Sequence, residues 1–258
     1  MQKNLLILLA LFSSAAFADN EAVFVKNAHE LALLPSYCRG TQQIRTVSKD
    51  PTPIEDYVKI YGKTYLALHH YCWALNSENK ARLISDKFLR EATLAYALGD
   101  IQFTLERATP GFILLPEIQL TRARILFSLH REPEAVLALN KAIEAKSDYV
   151  PAYVRLSEYF VDKGDKTNAI KTLEQGIDNT EKANFLIKRL AKLGKTYNGV
   201  PGNKRETAEA PVEVIPSLPK TNADTATDTG TEKAPAPGTV PEQPADQAAK
   251  GPYCRFCP

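Results

Sequence analysis

Residues 150–183 read VPAYVRLSEYFVDKGDKTNAIKTLEQGIDNTEKA, and residues 116–149, PEIQLTRARILFSLHREPEAVLALNKAIEAKSDY, show the same pattern 34 residues earlier. Small residues recur where helices must approach closely, and large apolar residues recur where a core must be filled. A spacing of 34 residues with this pattern is typical of helix-turn-helix repeats that stack into a solenoid. The sequence therefore predicts an all-α protein. The residues Ala123, Leu126, Ala135, Val136, Leu139, Ala142 and Ile143 return as Ser157, Phe160, Ala169, Ile170, Leu173, Gly176 and Ile177.

Glycines and prolines divide the middle of the chain into short helices. Pro116, Pro133 and Pro151 stand where helices are expected to begin, which is the position where proline is tolerated best. Gly99-Asp100 and Gly164-Asp165 predict tight turns inside helical hairpins. The expected helices cover residues 53–76, 79–98, 100–109, 115–130, 132–145, 151–163, 166–178 and 182–195, and the last is an amphipathic cap.

The two ends of the chain differ in composition from the middle. Lys3, an apolar run and Ala16-Phe17-Ala18 predict a signal peptide at residues 1–18, and an uncleaved anchor is the alternative. Residues 198–258 contain ten of the 17 prolines and few aromatic residues, so they are expected to form a disordered, Pro/Ala/Thr-rich spacer. Between them we expect an N-terminal helical segment at 19–78 and repeats with a capping helix at 79–197.

If the chain is exported, as the predicted signal peptide implies, its four cysteines are expected to form disulfides. A bond between Cys38 and Cys72 would attach the turn-rich N-terminal segment to the first long helix. His69, His70 and Cys72 also allow a metal site, but neighbouring residues of a helix point in different directions, which favours an aromatic packing face.

Cys254 and Cys257 form a Cys-x-x-Cys pair within Cys254-Arg255-Phe256-Cys257-Pro258. A thioredoxin-type active site has this motif at the start of a helix that follows a strand. Neither a strand nor a helix is expected before Cys254, which disfavours such a site. A local disulfide is favoured. A redox-active pair and a tethering end that docks on a partner stay open as alternatives.

The stretch 150–183 resembles the tetratricopeptide repeat. Repeat 116–149 keeps part of the pattern but has Gln119 and Arg122 where that family prefers bulky apolar residues, and a degenerate third copy covers about 82–115. The resemblance extends over roughly residues 80–195. The residues at the family's packing positions are Tyr153, Leu156, Ser157, Phe160, Gly164, Asp165, Ala169, Leu173, Gly176 and Ile177.

In this family the first helix of each repeat lines a groove that binds proteins. The resemblance implies that Leu120 and Phe127 could anchor an apolar side chain and that Arg124 could bind a carboxylate. The alternative is that these side chains make ordinary contacts between helices. The groove residues that the resemblance implies are Leu120, Arg124, Phe127, Val154, Glu158 and Asp162.

The Pro-Ser-Tyr-Cys and His-His-Tyr-Cys-Trp segments and the Cys-Arg-Phe-Cys-Pro end together resemble a group of secreted proteobacterial repeat proteins, a resemblance that implies no activity. A formal net charge of +2 disfavours nucleic acid as a partner. We expect no cofactor, no metal, no catalytic residue and no membrane span in the mature chain.

The expected function is therefore a periplasmic scaffold or adaptor that binds another envelope protein or a peptide segment of one. The alternative is disulfide exchange at Cys254 and Cys257. A general assembly factor for envelope complexes is a third possibility.

Overall fold

The computed structural model describes residues 24–203, and within that range the chain is a succession of helices without a strand. Ten α-helices occur in these residues, together with two 3-10 helices, Ser36–Cys38 and Lys63–Ala67. The α-helices are α1 (Ala28–Ala32), α2 (Gln42–Ser48), α3 (Ile54–Tyr61), α4 (Leu68–Ala81), α5 (Lys87–Glu106), α6 (Leu115–Ser128), α7 (Glu132–Ala145), α8 (Val150–Asp162), α9 (Lys166–Asn179) and α10 (Asn184–Lys192).

The longer helices pair as three successive hairpins. Helix α4 packs against α5, α6 against α7, and α8 against α9, while α10 packs against α9 at the end of the series. Neighbouring hairpins meet mainly through α5 with α6 and α7 with α8. Each hairpin thus contacts chiefly its neighbours in sequence, which is the organisation of a helical repeat solenoid. The predicted all-α repeat solenoid is confirmed.

The turns of the second and third hairpins have the same geometry. His130 and Gly164 stand 34 residues apart in the sequence and both adopt left-handed backbone conformations, with φ of 57° and 73°. In each turn the following residue donates its backbone N–H to a carbonyl five residues earlier, Arg131 to Leu126 and Asp165 to Phe160. These bonds close the first helix of each hairpin and reverse the chain.

The small residues shared by the two repeats are fully buried: Ala123, Ala135, Ala142 and Ala169. Gly176 occupies the position equivalent to Ala142 and is tighter still. A Cβ atom added to Gly176 would lie 2.8 Å from side-chain carbons of Tyr153 and Leu186. Small side chains are therefore required where α9 contacts α8 and α10.

One long helix predicted for residues 53–76 is in fact two helices with a break between them. Helix α3 ends at Tyr61, Gly62 adopts a left-handed φ of 74°, and a 3-10 helix leads into α4 at Leu68. Glycine readily takes this conformation, so the chain can change direction there. The sequence pattern does not predict this break, because the apolar periodicity continues across Gly62.

The turn predicted at Gly99-Asp100 is wrong, because α5 runs through both residues without interruption. Glycine inside a helix costs only about 1 kcal/mol relative to alanine. Burial of one face of α5 against its neighbours outweighs that cost. The buried residues of this face are Leu94, Ala97, Ile101 and Thr104.

The first hairpin reverses direction at residues 82–86 instead. Asp86 begins α5 as its N-cap, and its Oδ1 accepts a hydrogen bond from the backbone N–H of Leu89 at 2.7 Å. This side-chain cap satisfies one of the free N–H groups at the start of the helix. The degenerate third copy therefore has its turn before α5, not inside it.

The N-terminal residues form a layer that is fastened to α4 and α6. Cys38 and Cys72 are joined by a disulfide and are both completely buried. Trp73 of α4 donates its indole N–H to Oε1 of Gln43 at 3.1 Å. The Tyr37 hydroxyl donates to Oε1 of Glu117 on α6 at 2.6 Å. The layer thus contacts the repeats directly through both covalent and hydrogen bonds.

Two expected boundaries fall inside structured parts of the chain. The division at residue 78 lies within α4, so the N-terminal layer and the first hairpin share a helix. The composition predicts that residues 198–203 belong to the tail, yet the Gly202 N–H donates to the carbonyl of Ile177 on α9 at 3.0 Å. The fold therefore extends at least to Asn203.

The predicted signal peptide and most of the predicted tail lie outside the described residues. Among residues 24–203, none of the helices combines the length and apolar character that a bilayer span requires.

Gly99→Ala is expected to raise the free energy of unfolding by about 0.5–1 kcal/mol, because alanine is the better helix former and an added Cβ meets nothing within 4 Å. Gly164→Ala is the matched comparison and should lower it by about 1–2 kcal/mol, because Gly164 is left-handed. Urea unfolding followed by circular dichroism measures both. A destabilised Gly99→Ala would contradict a continuous α5.

Cys72→Ala and Cys38→Ala are each expected to destabilise the fold by about 3–4 kcal/mol, from the loop closed over a separation of 34 residues. The double variant should lose no more than either single variant, because one bond is lost once. Denaturant unfolding under non-reducing conditions gives the three values. Additive losses would show that the two cysteines act separately.

Candidate functional site

A cleft of about 430 Å³ opens on the face where α6, α8 and α10 lie side by side. These are the first helices of the second and third hairpins and the final helix. Apolar side chains form most of the lining, and one acidic and two basic side chains stand among them. The lining residues are Leu120, Arg124, Val150, Pro151, Val154, Arg155, Glu158 and Phe185.

The structure brings together most of the residues that the resemblance implied for a groove. The residues that line the cleft are Leu120, Arg124, Val154 and Glu158. Asp162 lines a second cleft, which also contains Glu158. Phe127 lines neither of these two clefts.

Phe127 instead packs α6 against α8. Its ring centroid lies 5.5 Å from that of Tyr159, and the Arg155 guanidinium stands 4.8 Å from the Phe127 centroid. The ring is partly buried against the second and third hairpins. These contacts favour a structural role for Phe127 over direct contact with a ligand.

Arg124 reaches the cleft, but its guanidinium is already bound to a carboxylate. It donates to both oxygens of Glu78 on α4, at 3.0 and 2.8 Å, and to Thr121 at 3.2 Å. Burial tends to lower the pKa of Arg124, but the hydrogen bond and charge of Glu78 outweigh burial and the pKa is raised. Arg124→Glu would place two carboxylates together, so this variant tests stability before it tests binding.

Glu158 is also paired within the protein. Its carboxylate lies 2.7 Å from Arg189 on α10 and 3.4 Å from Arg155 on its own helix. This pairing ties α8 to α10 across the boundary between the two clefts. Asp162 is exposed, and among the described residues it makes no ion pair.

Phe185 is the site residue that the sequence pattern did not identify. The amphipathic pattern of residues 182–195 predicts that Phe185 lies on the apolar face of the final helix, together with Leu190. In the structure Leu186 and Leu190 are fully buried and Phe185 is 53% exposed, because the helix is rotated to bury Leu186. Phe185 therefore projects over both clefts, with the Arg189 guanidinium 4.9 Å from its ring centroid.

The second cleft, of about 400 Å³, lies between α8, α9 and α10. Its walls combine apolar side chains with three cations from α10. The lining residues are Ser157, Glu158, Val161, Asp162, Leu173, Phe185, Lys188, Arg189, Lys192 and Leu193.

The two histidines of α4 are buried, and His70 contacts α5. His70 Nδ1 lies 2.7 Å from Asp100 Oδ1, and His69 Nδ1 lies 3.0 Å from the Leu66 carbonyl. Burial, and next the neighbouring His70, lower the pKa of His69 to about 3, so His69 is neutral at physiological pH. Trp73 packs edge-on against both rings, as the aromatic packing face requires.

The histidine and aspartate pair is the most chemically suggestive group in the described range. Burial raises the pKa of Asp100, and its hydrogen bond to His70 partly offsets that effect. The centroid of the His70 ring also lies 3.8 Å from that of Phe103, with the two rings tilted by 35°. Across residues 24–203, no group of three or more His, Cys, Asp or Glu side chains is arranged to hold a metal ion.

The disulfide restricts what the other two cysteines can do. Because Cys38 and Cys72 are bonded to each other, Cys254 and Cys257 can pair only with each other or with another molecule. Both lie outside the described residues.

No protein-family model matches this chain, and no curated protein or solved structure is significantly similar to it.

Phe127→Ala is expected to lower the free energy of unfolding by about 1.5–3 kcal/mol, because it removes a ring packed between helices. Phe185→Ala should change it by under about 1 kcal/mol, because that ring is half exposed. Chemical denaturation of the two variants compares them directly. Equal losses would place both rings in the core and remove Phe185 from the candidate surface.

Proposed function

We propose that this protein is an exported scaffold of the tetratricopeptide-repeat type, which binds a segment of another envelope protein on the face formed by α6, α8 and α10. The observation on which this rests is the position of Phe185, an aromatic side chain 53% exposed at the edge of two clefts. Aromatic anchors of this kind dominate the binding energy of many interfaces.

The remaining lining of the first cleft supports an apolar anchor in the partner. Leu120, Val150 and Val154 are partly buried and present aliphatic surface to the cleft. The charged side chains Arg124 and Glu158 already form ion pairs within the protein. Arg124 pairs with Glu78, and Glu158 pairs with Arg189. A partner segment would therefore gain most by burying a leucine, phenylalanine or similar side chain beside Phe185.

The disulfide supports the proposed location. Cys38 and Cys72 are fully buried and bonded, and such structural bonds persist mainly in oxidising compartments. Together with the signal peptide expected at residues 1–18, this supports a periplasmic protein.

Phe185→Glu is expected to abolish capture of a partner by the full-length protein, because it introduces a charge where an apolar contact forms. Leu137→Glu is the matched control, since Leu137 is 55% exposed on α7 and lines neither cleft. Crosslinking in cells that produce the protein, followed by mass spectrometry, compares the captured proteins. The proposal requires that at least one protein is captured by the parent and by Leu137→Glu but not by Phe185→Glu. Identical captures from all three would refute this face as the binding surface.

Disulfide exchange at Cys254 and Cys257 is the alternative proposal from the sequence. A working pair would be reduced by mild glutathione, with a potential near those of known oxidoreductases, whereas a structural pair would stay oxidised. Thiol titration of the native protein across a glutathione series distinguishes the two.

A further inference from the structure

The cleft between α8, α9 and α10 combines an apolar floor with a basic rim. Leu173 and Leu193 form part of its floor, and Val161 and Phe185 stand at its sides with 46% and 53% of their surfaces exposed. A volume of about 400 Å³ accommodates a few side chains of a peptide.

Two of the three cations in this cleft have no ion-pair partner among residues 24–203. Arg189 is bound to Glu158 at 2.7 Å. Lys188 and Lys192 are exposed, and within the described part of the chain neither makes an ion pair. Asp162 is the one lining carboxylate left to oppose them, so the cleft keeps an excess of positive charge.

Residues 206–216 of the same chain have the complementary composition. They read ETAEAPVEVIP, with three glutamates, three aliphatic residues and no lysine or arginine. The acidic residues are Glu206, Glu209 and Glu213, and the aliphatic ones are Val212, Val214 and Ile215. Glu213 stands between Val212 and Val214, so one segment can contact a basic rim and an apolar floor together.

The described chain ends close to this cleft. The Gly202 N–H donates to the Ile177 carbonyl at 3.0 Å, and Ile177 lies one helical turn beyond Leu173 of the cleft floor. From Asn203, an extended chain reaches roughly 10 Å by Glu206 and about 35 Å by Glu213. The acidic segment is therefore long enough to reach the cleft from Asn203.

We propose that residues 206–216 bind in the cleft between α8, α9 and α10 of their own chain, with glutamates on Lys188 and Lys192 and aliphatic side chains against Val161 and Phe185. This inference goes beyond the proposed function, because it concerns the isolated protein and needs no partner. It also assigns to residues 206–216 a role that differs from that of the rest of the predicted spacer.

Zero-length carbodiimide crosslinking of the dilute full-length protein tests this contact, because it joins a lysine amine only to a carboxylate in direct contact. Peptide mass spectrometry of the monomer band is expected to show Lys188 or Lys192 joined to Glu206, Glu209 or Glu213. Links to Asp224 and Asp228, in the later part of the chain, serve as the internal reference for random encounters. Equal yields for the two groups of acids would overturn the proposal.

A matched pair of variants distinguishes the effect of the charge at position 188 from the effect of removing its reactive amine. Lys188→Arg and Lys188→Glu both remove the same amine, but only the second reverses the charge. The yield of the Lys192 link should be unchanged in Lys188→Arg and should fall about tenfold in Lys188→Glu. Equal yields in the two variants would show that the rim does not attract the segment. Lys188 is exposed, and unchanged melting temperatures of the two variants would confirm that the fold is intact.

This result is independent of the partner experiment. Crosslinks in the isolated protein with no captured partner would support the internal contact and reject the scaffold proposal. Loss of a partner in Phe185→Glu without internal crosslinks would do the reverse.

Discussion

Close approach of helices at small residues is the constraint on which the rest of this structure depends. Ala123, Ala135, Ala142 and Ala169 have no exposed surface, and Gly176 has no space for a Cβ beside Tyr153 and Leu186. Larger side chains at these positions would push the helices apart. Because α9 can approach both α8 and α10, the first helices of successive hairpins come to lie side by side and form the cleft-bearing face.

Most of the charged side chains on that face form ion pairs within the protein. Glu78 and Arg124 connect α4 to α6, and Glu158 and Arg189 connect α8 to α10. These pairs stabilise the stack and also reduce the charge available to a ligand. What the face still offers is one half-exposed phenylalanine, aliphatic cleft walls, and Lys188 and Lys192 of α10, which make no ion pair among residues 24–203. Recognition would thus depend more on apolar burial than on a carboxylate clamp.

The N-terminal layer adds stability that the first hairpin needs. One side of α4 contacts α5, and the opposite side is covered by the disulfide-linked layer and by the Trp73 contacts with Phe24 and Gln43. Two buried tyrosine hydroxyls in this region are hydrogen-bonded: Tyr71 contacts Thr121 at 2.9 Å, and Tyr65 donates to the Tyr37 carbonyl at 2.9 Å. Such satisfied polar contacts stabilise one packing arrangement over others, since a misplaced layer would leave them unpaired.

The sequence by itself determined the helical class, the second and third hairpins, the Cys38–Cys72 bond and four residues of the main cleft. The helical class and the two hairpins follow from a local pattern, the recurrence of small and large residues. The bond was expected because an exported chain normally pairs its cysteines, and the four cleft residues were implied by the family resemblance. Tertiary structure decided the rest. It ran α5 through Gly99, because burial of one helix face exceeds the cost of a glycine. It also paired Arg124 with Glu78, 46 residues earlier in the chain, and rotated α10 so that Leu186 is buried and Phe185 exposed. Those outcomes depend on contacts between residues far apart in sequence, which no local pattern contains.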